Sequence, residues 1–242
     1  MKLKIRPSFI LYGLCLIFLN QLPFFINLAL ALLVHELGHI IMLNLYDIKI
    51  KELTVSAIGG VMRTNINENS RIWVEFLIYL MGPLLNLVLG LICLYLNYKL
   101  FAYINLSLFL FNILPIYPLD GYYISLAFVS SLSTYKKSLI ILKILSTTFC
   151  IIFILFSLHL NLYLVILSLY ILILNIKNDL NRNEYHLFLL AKYLYPDKRL
   201  KNKKIKDIDL NLTKFYKGKN NYYIMNSKIY SEKVLLDRYF KT

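Results

Sequence analysis

Residues 28–45, LALALLVHELGHIIMLNL, decide the fold of this 242-residue chain. The stretch is mostly apolar, yet it carries three ionisable side chains near its centre, those of His35, Glu36 and His39. A run of about 20 apolar residues is long enough to cross a bilayer as a helix. Each ionisable side chain at the centre of such a helix costs about 2.5–3.5 kcal/mol on insertion scales, so residues of this kind are functional by default. We therefore expect a membrane helix with a functional site at its centre.

The composition of the whole chain supports a membrane location. Hydrophobic residues make up 59% of the sequence, above the roughly 45–50% of soluble domains. The formal net charge is +14, from 27 basic and 13 acidic residues. Sixteen of the basic residues follow Ile176 and three precede Pro7, so they flank the apolar stretches. This distribution fits membrane topology rather than a base-reading face, and we expect no nucleic-acid partner.

The apolar stretches predict an all-α polytopic membrane protein with six transmembrane helices. A count of five stays open, because the first and last stretches are short. Six is favoured because the basic residues outside the spans then collect on one side of the membrane, with Lys99 alone on the other. In this topology both termini face the cytosol. No small-residue cleavage site follows the first stretch, so we expect an uncleaved anchor. The predicted spans are approximately 8–22, 24–45, 73–97, 100–118, 138–157 and 161–176.

A strand signal lies between the second and third spans. Residues 48–63 alternate between apolar and polar side chains and contain the pair Gly59 and Gly60, which permits close backbone approach. The pattern predicts a membrane-associated β-hairpin. Two interpretations stay open, an ordinary cytosolic loop and an edge strand with which a substrate could pair.

The composition becomes polar and basic after residue 176. We expect a membrane domain over 1–176 and a small α+β cytosolic tail over 177–242. Within the tail, Arg182 to Tyr195 predicts an amphipathic helix, Lys198 to Lys206 a solvated linker, and Thr213 to Phe240 a hairpin followed by a helix.

The HELGH sequence at 35–39 has the spacing of a zinc site. Two histidines four residues apart share one face of a helix, so His35 and His39 can bind one ion. Glu36 lies beside them and can act as general base toward a water that zinc makes acidic. A catalytic zinc usually has three protein ligands, so one more is required.

Asp120 is the candidate for the third ligand that the sequence favours. It follows Pro115 and Pro118, which break the fourth span, and membranes tolerate a broken helix only where it lines a cavity or is buried in protein. Apart from Glu36, the other acidic residues before the tail lie in or beside the loop between the second and third spans. His159 lies on the opposite side of the membrane in the predicted topology. We therefore expect Asp120 to meet the two histidines in the inner part of the bilayer.

With HELGH at 35–39 and NILPIYPLDG at 112–121 on separate spans, the sequence resembles the site-2 protease family of intramembrane zinc metalloproteases. The resemblance implies a metalloendopeptidase in which His35, His39 and Asp120 hold zinc and Glu36 activates water. It also implies that Asn112 and Pro118 shape the substrate cleft. Further similarity covers IGGVMR at 58–63 and MGPLLN at 81–86.

Within that family the sequence is most similar to the branch that contains stage IV sporulation protein FB. The resemblance implies cleavage of the membrane-associated precursor of sigma-K during sporulation, on the mother-cell side, and regulation by inhibitory membrane partners. Members of the branch usually carry a cystathionine-beta-synthase domain. Only residues 177–242 remain here for such a domain, which leaves room for one degenerate repeat. Whether the tail binds nucleotide therefore stays open. Whether the protein forms homo-oligomers also stays open.

Two other classes of function compete with proteolysis. One is a membrane zinc hydrolase acting on a lipid or a small molecule, and the other is a metal-binding scaffold or metal carrier without hydrolysis. Replacing Glu36 by Gln separates the scaffold from the enzymes. Zinc content should survive in every case, whereas hydrolysis should vanish in an enzyme and biological activity should stay unchanged in a scaffold.

Overall fold

The computed structural model describes residues 2–5, 7, 13–14, 18–56, 59–64, 71–159, 162–177, 180–196, 200–206, 212–225 and 228–241. The chain forms two compact units, one from residues 1–66 and 77–114 and the other from residues 67–76 and 115–242. One long helix contributes residues 72–76 to the second unit and the rest to the first.

The described residues of the first unit include three long helices and a three-stranded sheet. The strands are β1 (Lys2–Ile5), β2 (Ile50–Ser56) and β3 (Gly59–Thr64), and the helices are α1 (Leu22–Leu45), α2 (Ile72–Tyr95) and α3 (Lys99–Asn112). Strand β2 is central, pairing parallel with β1 and antiparallel with β3. The predicted pairing within 48–63 is confirmed, and strand β1 is an addition that the sequence did not indicate.

Helices α1 and α2 end in the same way. Asp47 and Asn97 follow them with φ of 54° and 63°, a left-handed conformation that Asp and Asn tolerate better than most residues. After α1, the N–H of Asp47 donates to the carbonyl of Asn44 and the N–H of Ile48 to that of Leu43. This is the Schellman pattern, and it satisfies carbonyls that the helix end would otherwise leave open.

Among the described residues, three helices are long and apolar enough to cross a membrane, namely α1, α2 and α5 (Tyr135–Leu158). Two shorter apolar helices cover Lys99–Asn112 and Leu164–Lys177. The predicted span 100–118 is shorter than expected, because the helix ends at Asn112 before the two prolines. The predicted span 8–22 lies largely outside the described residues, so the count of six spans and their orientation stay predictions.

The second unit contains the remaining helices and a second sheet. Besides α5 these elements are α4 (Asp120–Leu132), α6 (Leu162–Lys177), α7 (Leu180–Leu194), β4 (Lys201–Lys206), β5 (Lys219–Met225), β6 (Lys228–Ser231) and α8 (Glu232–Lys241). The predicted tail helix and the hairpin followed by a helix are confirmed. The linker predicted over Lys198 to Lys206 is wrong for residues 201–206, because they pair parallel with β5.

A single hydrophobic core joins the tail to α4 and α5. Tyr135 and Leu139 of α5 pack in the same cluster as Phe188, Phe215 and Leu236 of the tail. The backbone N–H of Tyr135 donates to the carbonyl of Phe215 over 2.9 Å. The tail therefore gains apolar burial from the membrane helices, which its own 66 residues could supply only in part. The division at residue 176 stays a prediction.

Two ion pairs in the second unit join a buried lysine to a half-buried glutamate. Lys192 is 2% exposed and donates to both carboxylate oxygens of Glu232 over 3.0 and 3.1 Å. Burial lowers the pKa of Lys192, and Glu232 opposes that shift. Lys217 donates to Glu75 over 2.7 Å, and its ammonium lies 4.8 Å from the centre of the Tyr135 ring.

Candidate metal centre

Helix α1 presents both histidines of the HELGH sequence to the interior of the first unit. His35 is 5% exposed and His39 is 8% exposed, and Glu36 between them is also buried. The two Nε2 atoms are 3.2 Å apart, and the rings meet edge to face with centroids 4.8 Å apart. The predicted convergence of the two imidazoles is therefore present on one face of the helix.

The hydrogen bonds at the far side of each ring determine where its proton lies. His39 Nδ1 lies 2.7 Å from the carbonyl oxygen of Ile78, which can only accept, so Nδ1 carries the proton. His35 Nδ1 lies 2.7 Å from Asn86 Oδ1. Asn86 Nδ2 donates to the carbonyl of Ala31, so Oδ1 is the atom that faces His35, and it accepts. Both neutral rings therefore hold their proton on Nδ1.

In the neutral forms of the two rings, the Nε2 lone pairs therefore face each other across 3.2 Å. These lone pairs repel unless a cation lies close to both. Nitrogen ligands bind zinc at about 2.0–2.1 Å in tetrahedral geometry, which places two of them about 3.3 Å apart. The pair thus has the protonation, the direction and the spacing that zinc requires.

Glycines let α2 approach the histidines closely. A Cβ atom at Gly82 would lie 2.4 Å from His39 Nε2 and 3.0 Å from His35 Nε2. A Cβ atom at Gly38 would lie 2.6 Å from the carbonyl oxygen of Met81. Any larger residue at Gly82 or Gly38 would therefore push α2 away from α1 or fill the space in front of the imidazoles.

Asn86 and Asn105 are site residues that the motif analysis missed. Both are fully buried, and Asn86 Nδ2 donates to Asn105 Oδ1 over 2.8 Å. The sequence did hold a signal, because an amide inside an apolar run is costly in lipid and requires partners. That signal alone does not reveal which residue the amide contacts.

The second unit contains the predicted third ligand. Asp120 is the first residue of α4, directly after a segment that holds the cis peptide bond between Tyr117 and Pro118. The backbone N–H of Tyr117 donates to Ser146 Oγ of α5 over 2.9 Å, which anchors this segment. The convergence of Asp120 with His35 and His39 on one metal ion stays a prediction.

The residues predicted to shape the substrate cleft lie at ends of elements. Asn112 is the last residue of α3, and its Nδ2 donates to the carbonyl of Leu108 one turn earlier. Gly59 and Gly60 begin β3 and pair with Ser56 and Val55. Their predicted contact with substrate, like that of Pro118, stays a prediction.

Comparison with known proteins assigns the region around the histidines to a family. Residues 23–100 match the family model of peptidase family M50. Over these residues the chain is similar to the peptidase family M50, the site-2 proteases. This confirms the resemblance that the motifs at 35–39 and 112–121 indicate.

Two curated proteins are similar in sequence to this chain over a longer stretch than the family match. Stage IV sporulation protein FB of Bacillus subtilis (strain 168) is 27% identical over 130 residues, which are 50% of this chain and 45% of that protein. Zinc metalloprotease MJ0392 of Methanocaldococcus jannaschii is 31% identical over 158 residues, which are 60% of this chain and 45% of that protein. The chain thus spans less than half the length of either relative.

A solved structure shares the fold. The site-2 protease from Methanocaldococcus jannaschii superposes with a TM-score of 0.59 at 27% sequence identity, covering 72% of this chain and 89% of that one. The matched part of the chain therefore has a site-2 protease-like fold, and a zinc site agrees with the 3.2 Å spacing of the two histidine Nε2 atoms.

Proposed function

We propose that this protein is an intramembrane zinc metalloendopeptidase that hydrolyses a peptide bond of a membrane-associated protein. The observation that carries the proposal is the pair of Nε2 atoms 3.2 Å apart, with each Nδ1 atom beside an accepting oxygen, on an apolar helix that also buries Glu36. Membrane helices rarely contain such residues unless they serve a function.

The proposed ligands are His35, His39 and Asp120. When bound, zinc would lower the pKa of a water molecule and polarise the substrate carbonyl. The charges of this set balance, because two neutral imidazoles, the carboxylates of Asp120 and Glu36, and one divalent cation sum to zero. Neutrality favours a site inside lipid, where a net charge is expensive.

Glu36 is the proposed catalytic base. Its position between the two ligands on α1 keeps its carboxylate within the same buried site. It would accept the proton of the attacking water and pass it to the leaving amine. Because a helical substrate hides its carbonyls in hydrogen bonds, the substrate must bind unwound or as an added strand.

The sheet of the first unit offers a place for that strand. Strand β2 already has a partner on each side, whereas β1 and β3 are the outer strands in the described order β1-β2-β3. Of these two, β3 carries the glycine pair that permits close backbone approach. We therefore assign the proposed substrate pairing to β3, which begins at Gly59 and Gly60. Asn112 and Pro118 are proposed to shape the adjoining cleft.

The proposed substrate is the sigma-K precursor, since the relative from Bacillus subtilis is a sporulation protein. Another membrane-tethered regulator is the alternative substrate. The proposal also places both termini in the cytosol, which the basic residues that flank the spans support. It further includes regulation by inhibitory membrane partners, which the family resemblance supports.

Coexpression with the sigma-K precursor, and then with other tethered precursors, tests the function. Glu36→Gln should lower cleavage by about 10²- to 10⁴-fold while zinc content stays at the wild-type level. Asp47→Asn is the matched control, because it removes an exposed carboxylate just beyond the end of the same helix and should leave cleavage unchanged. Equal cleavage by wild type and Glu36→Gln would contradict proteolysis at this site. Hydrolysis of a lipid with no protein cleaved would favour the other enzyme class.

A further inference from the structure

A chain of two buried amides leads away from the metal centre across three helices. Asn86 of α2 contacts His35 of α1, and Asn105 of α3 contacts Asn86. Both amides are fully buried. Burying an amide in lipid is costly unless every polar atom finds a partner, so two linked amides at this place require an explanation.

Backbone carbonyls fix the direction of every hydrogen bond in this chain. Asn105 Nδ2 donates to the carbonyl of Phe101 over 2.8 Å, and a carbonyl can only accept. The Oδ1 atom of Asn105 therefore faces Asn86 and accepts from its Nδ2. The same Nδ2 also donates to the carbonyl of Ala31 over 3.0 Å.

The consequence reaches His35. With both Nδ2 protons of Asn86 in use, its Oδ1 is the atom left for His35 Nδ1, at 2.7 Å. A flipped Asn86 amide would place oxygen against two accepting oxygens, those of Ala31 and Asn105. It would also present a donor to His35, and this would move the imidazole proton to Nε2, where a metal must bind.

We infer that Asn86 is the positioning residue that holds His35 in its metal-binding tautomer, and that Asn105 acts through Asn86 to fix the direction of its amide. The inference rests on the proposed function only in taking His35 as a zinc ligand. Outer partners of this kind raise metal affinity about 10- to 100-fold. A neutral amide does so without adding a charge to a site buried in lipid.

The test measures the zinc dissociation constant of the full-length protein in detergent by competition with a chelator, without any substrate. Asn86→Leu should weaken zinc binding about 10- to 100-fold. Asn105→Leu should weaken it several-fold, because Asn86 keeps its bond to Ala31. Asn175→Leu is the matched control, since it removes a buried amide from α6 that bonds to Thr147 and Cys150. It should leave zinc affinity unchanged.

Asn86→Asp separates positioning from a merely structural role. It keeps an acceptor for His35 but, like Asn86→Leu, loses the donor to Ala31 and Asn105. If Asn86 positions His35, Asn86→Asp binds zinc more tightly than Asn86→Leu. If its role is only to join the helices, Asn86→Asp binds zinc no more tightly than Asn86→Leu, and the inference is overturned.

Spectroscopy of the wild type keeps the inference testable even if a variant at 86 does not fold. In ¹⁵N-histidine spectra of the zinc-loaded protein, the Nδ1 proton of His35 should be protected from exchange, and less so in Asn105→Leu. Rapid exchange of this proton in the wild type would overturn the inference that Asn86 holds His35. Equal zinc affinity of wild type and Asn105→Leu would overturn the inference that Asn105 acts through Asn86. Wild-type zinc binding without cleavage of any substrate would instead contradict the proposed function and leave the positioning intact.

Discussion

Gly82 controls the space in front of the two imidazoles, so Gly82→Ala is the most informative small substitution at the site. The added methyl carbon would lie 2.4 Å from His39 Nε2, about 1 Å inside the 3.4 Å at which ordinary contact begins. It would also lie 3.0 Å from His35 Nε2. One methyl group thus opposes both imidazoles at the atoms that bind the metal.

The size of the effect follows from the tolerance of zinc coordination. Zinc binds nitrogen at about 2.0–2.1 Å and accepts deviations of about 0.2 Å. Relieving the clash requires His39, or the α2 backbone, to move about 1 Å, several times that tolerance. We therefore expect zinc affinity to fall by more than the roughly 100-fold that follows loss of an outer partner.

The assay is zinc content and chelator competition on purified protein, with thermal unfolding measured in parallel. Gly90→Ala is the matched control, because it adds the same methyl group to the same helix eight residues later. Its Cβ atom would meet the Leu106 side chain at 2.9 Å, which can change rotamer more readily than a helix can move. This control should keep full zinc binding even if its stability changes.

Wild-type zinc affinity in Gly82→Ala would refute the reasoning. It would mean either that α1 and α2 are not in close contact at this point, or that His39 does not bind the metal. Loss of zinc in both variants would show instead that any added methyl group in α2 disrupts the fold.

Three further predictions concern packing and charge. Gly38→Ala should lower thermal stability, because its Cβ would lie 2.6 Å from the Met81 carbonyl oxygen and backbone cannot rotate aside; unchanged stability would contradict the close approach. Lys217→Met should lower the free energy of unfolding by about 1–3 kcal/mol, because it removes the ammonium beside the half-buried Glu75 carboxylate. The double variant with Glu75→Gln should recover most of this loss, and equal stability of the single and double variants would contradict the prediction. Burial raises the pKa of Tyr185 above its ordinary 10.0. The phenol therefore ionises in the unfolded chain before it ionises in the folded protein. Its contribution to stability is constant below pH 10 and declines as the pH rises further. Tyr185→Phe should therefore show a shallower loss of stability in chemical unfolding between pH 9 and about 11, and an identical slope would contradict the pKa shift.

Patterns that depend only on local chemistry could be predicted from the sequence. The apolar runs predicted α1, α2 and α5, because length and hydropathy alone decide whether a helix suits a bilayer. The spacing of His35 and His39 predicted their convergence, because helical periodicity alone brings residues four apart to one face. Alternation and glycines likewise predicted the pairing of β2 with β3.

Features that depend on distant partners were missed or wrong. Strand β4 has one buried residue, Ile205, among exposed and half-exposed neighbours, so its pattern resembles a linker until β5 supplies the pairing. Strand β1 likewise becomes a strand through pairing with β2, far along the chain. Helix α4 alternates small, aromatic and polar residues, and the core it shares with the tail is assembled from remote segments.

The sequence by itself determined that two histidines and a glutamate lie on one face of a helix in lipid, because covalent spacing and helix geometry suffice for that. Which ring nitrogen carries each proton was decided only by the tertiary structure. Asn86 and Ile78 are 51 and 39 residues away from the histidines they contact, and only the packing of α2 against α1 brings their oxygens to Nδ1. A motif supplies the ligands, and the neighbouring helix makes them ready to bind a metal.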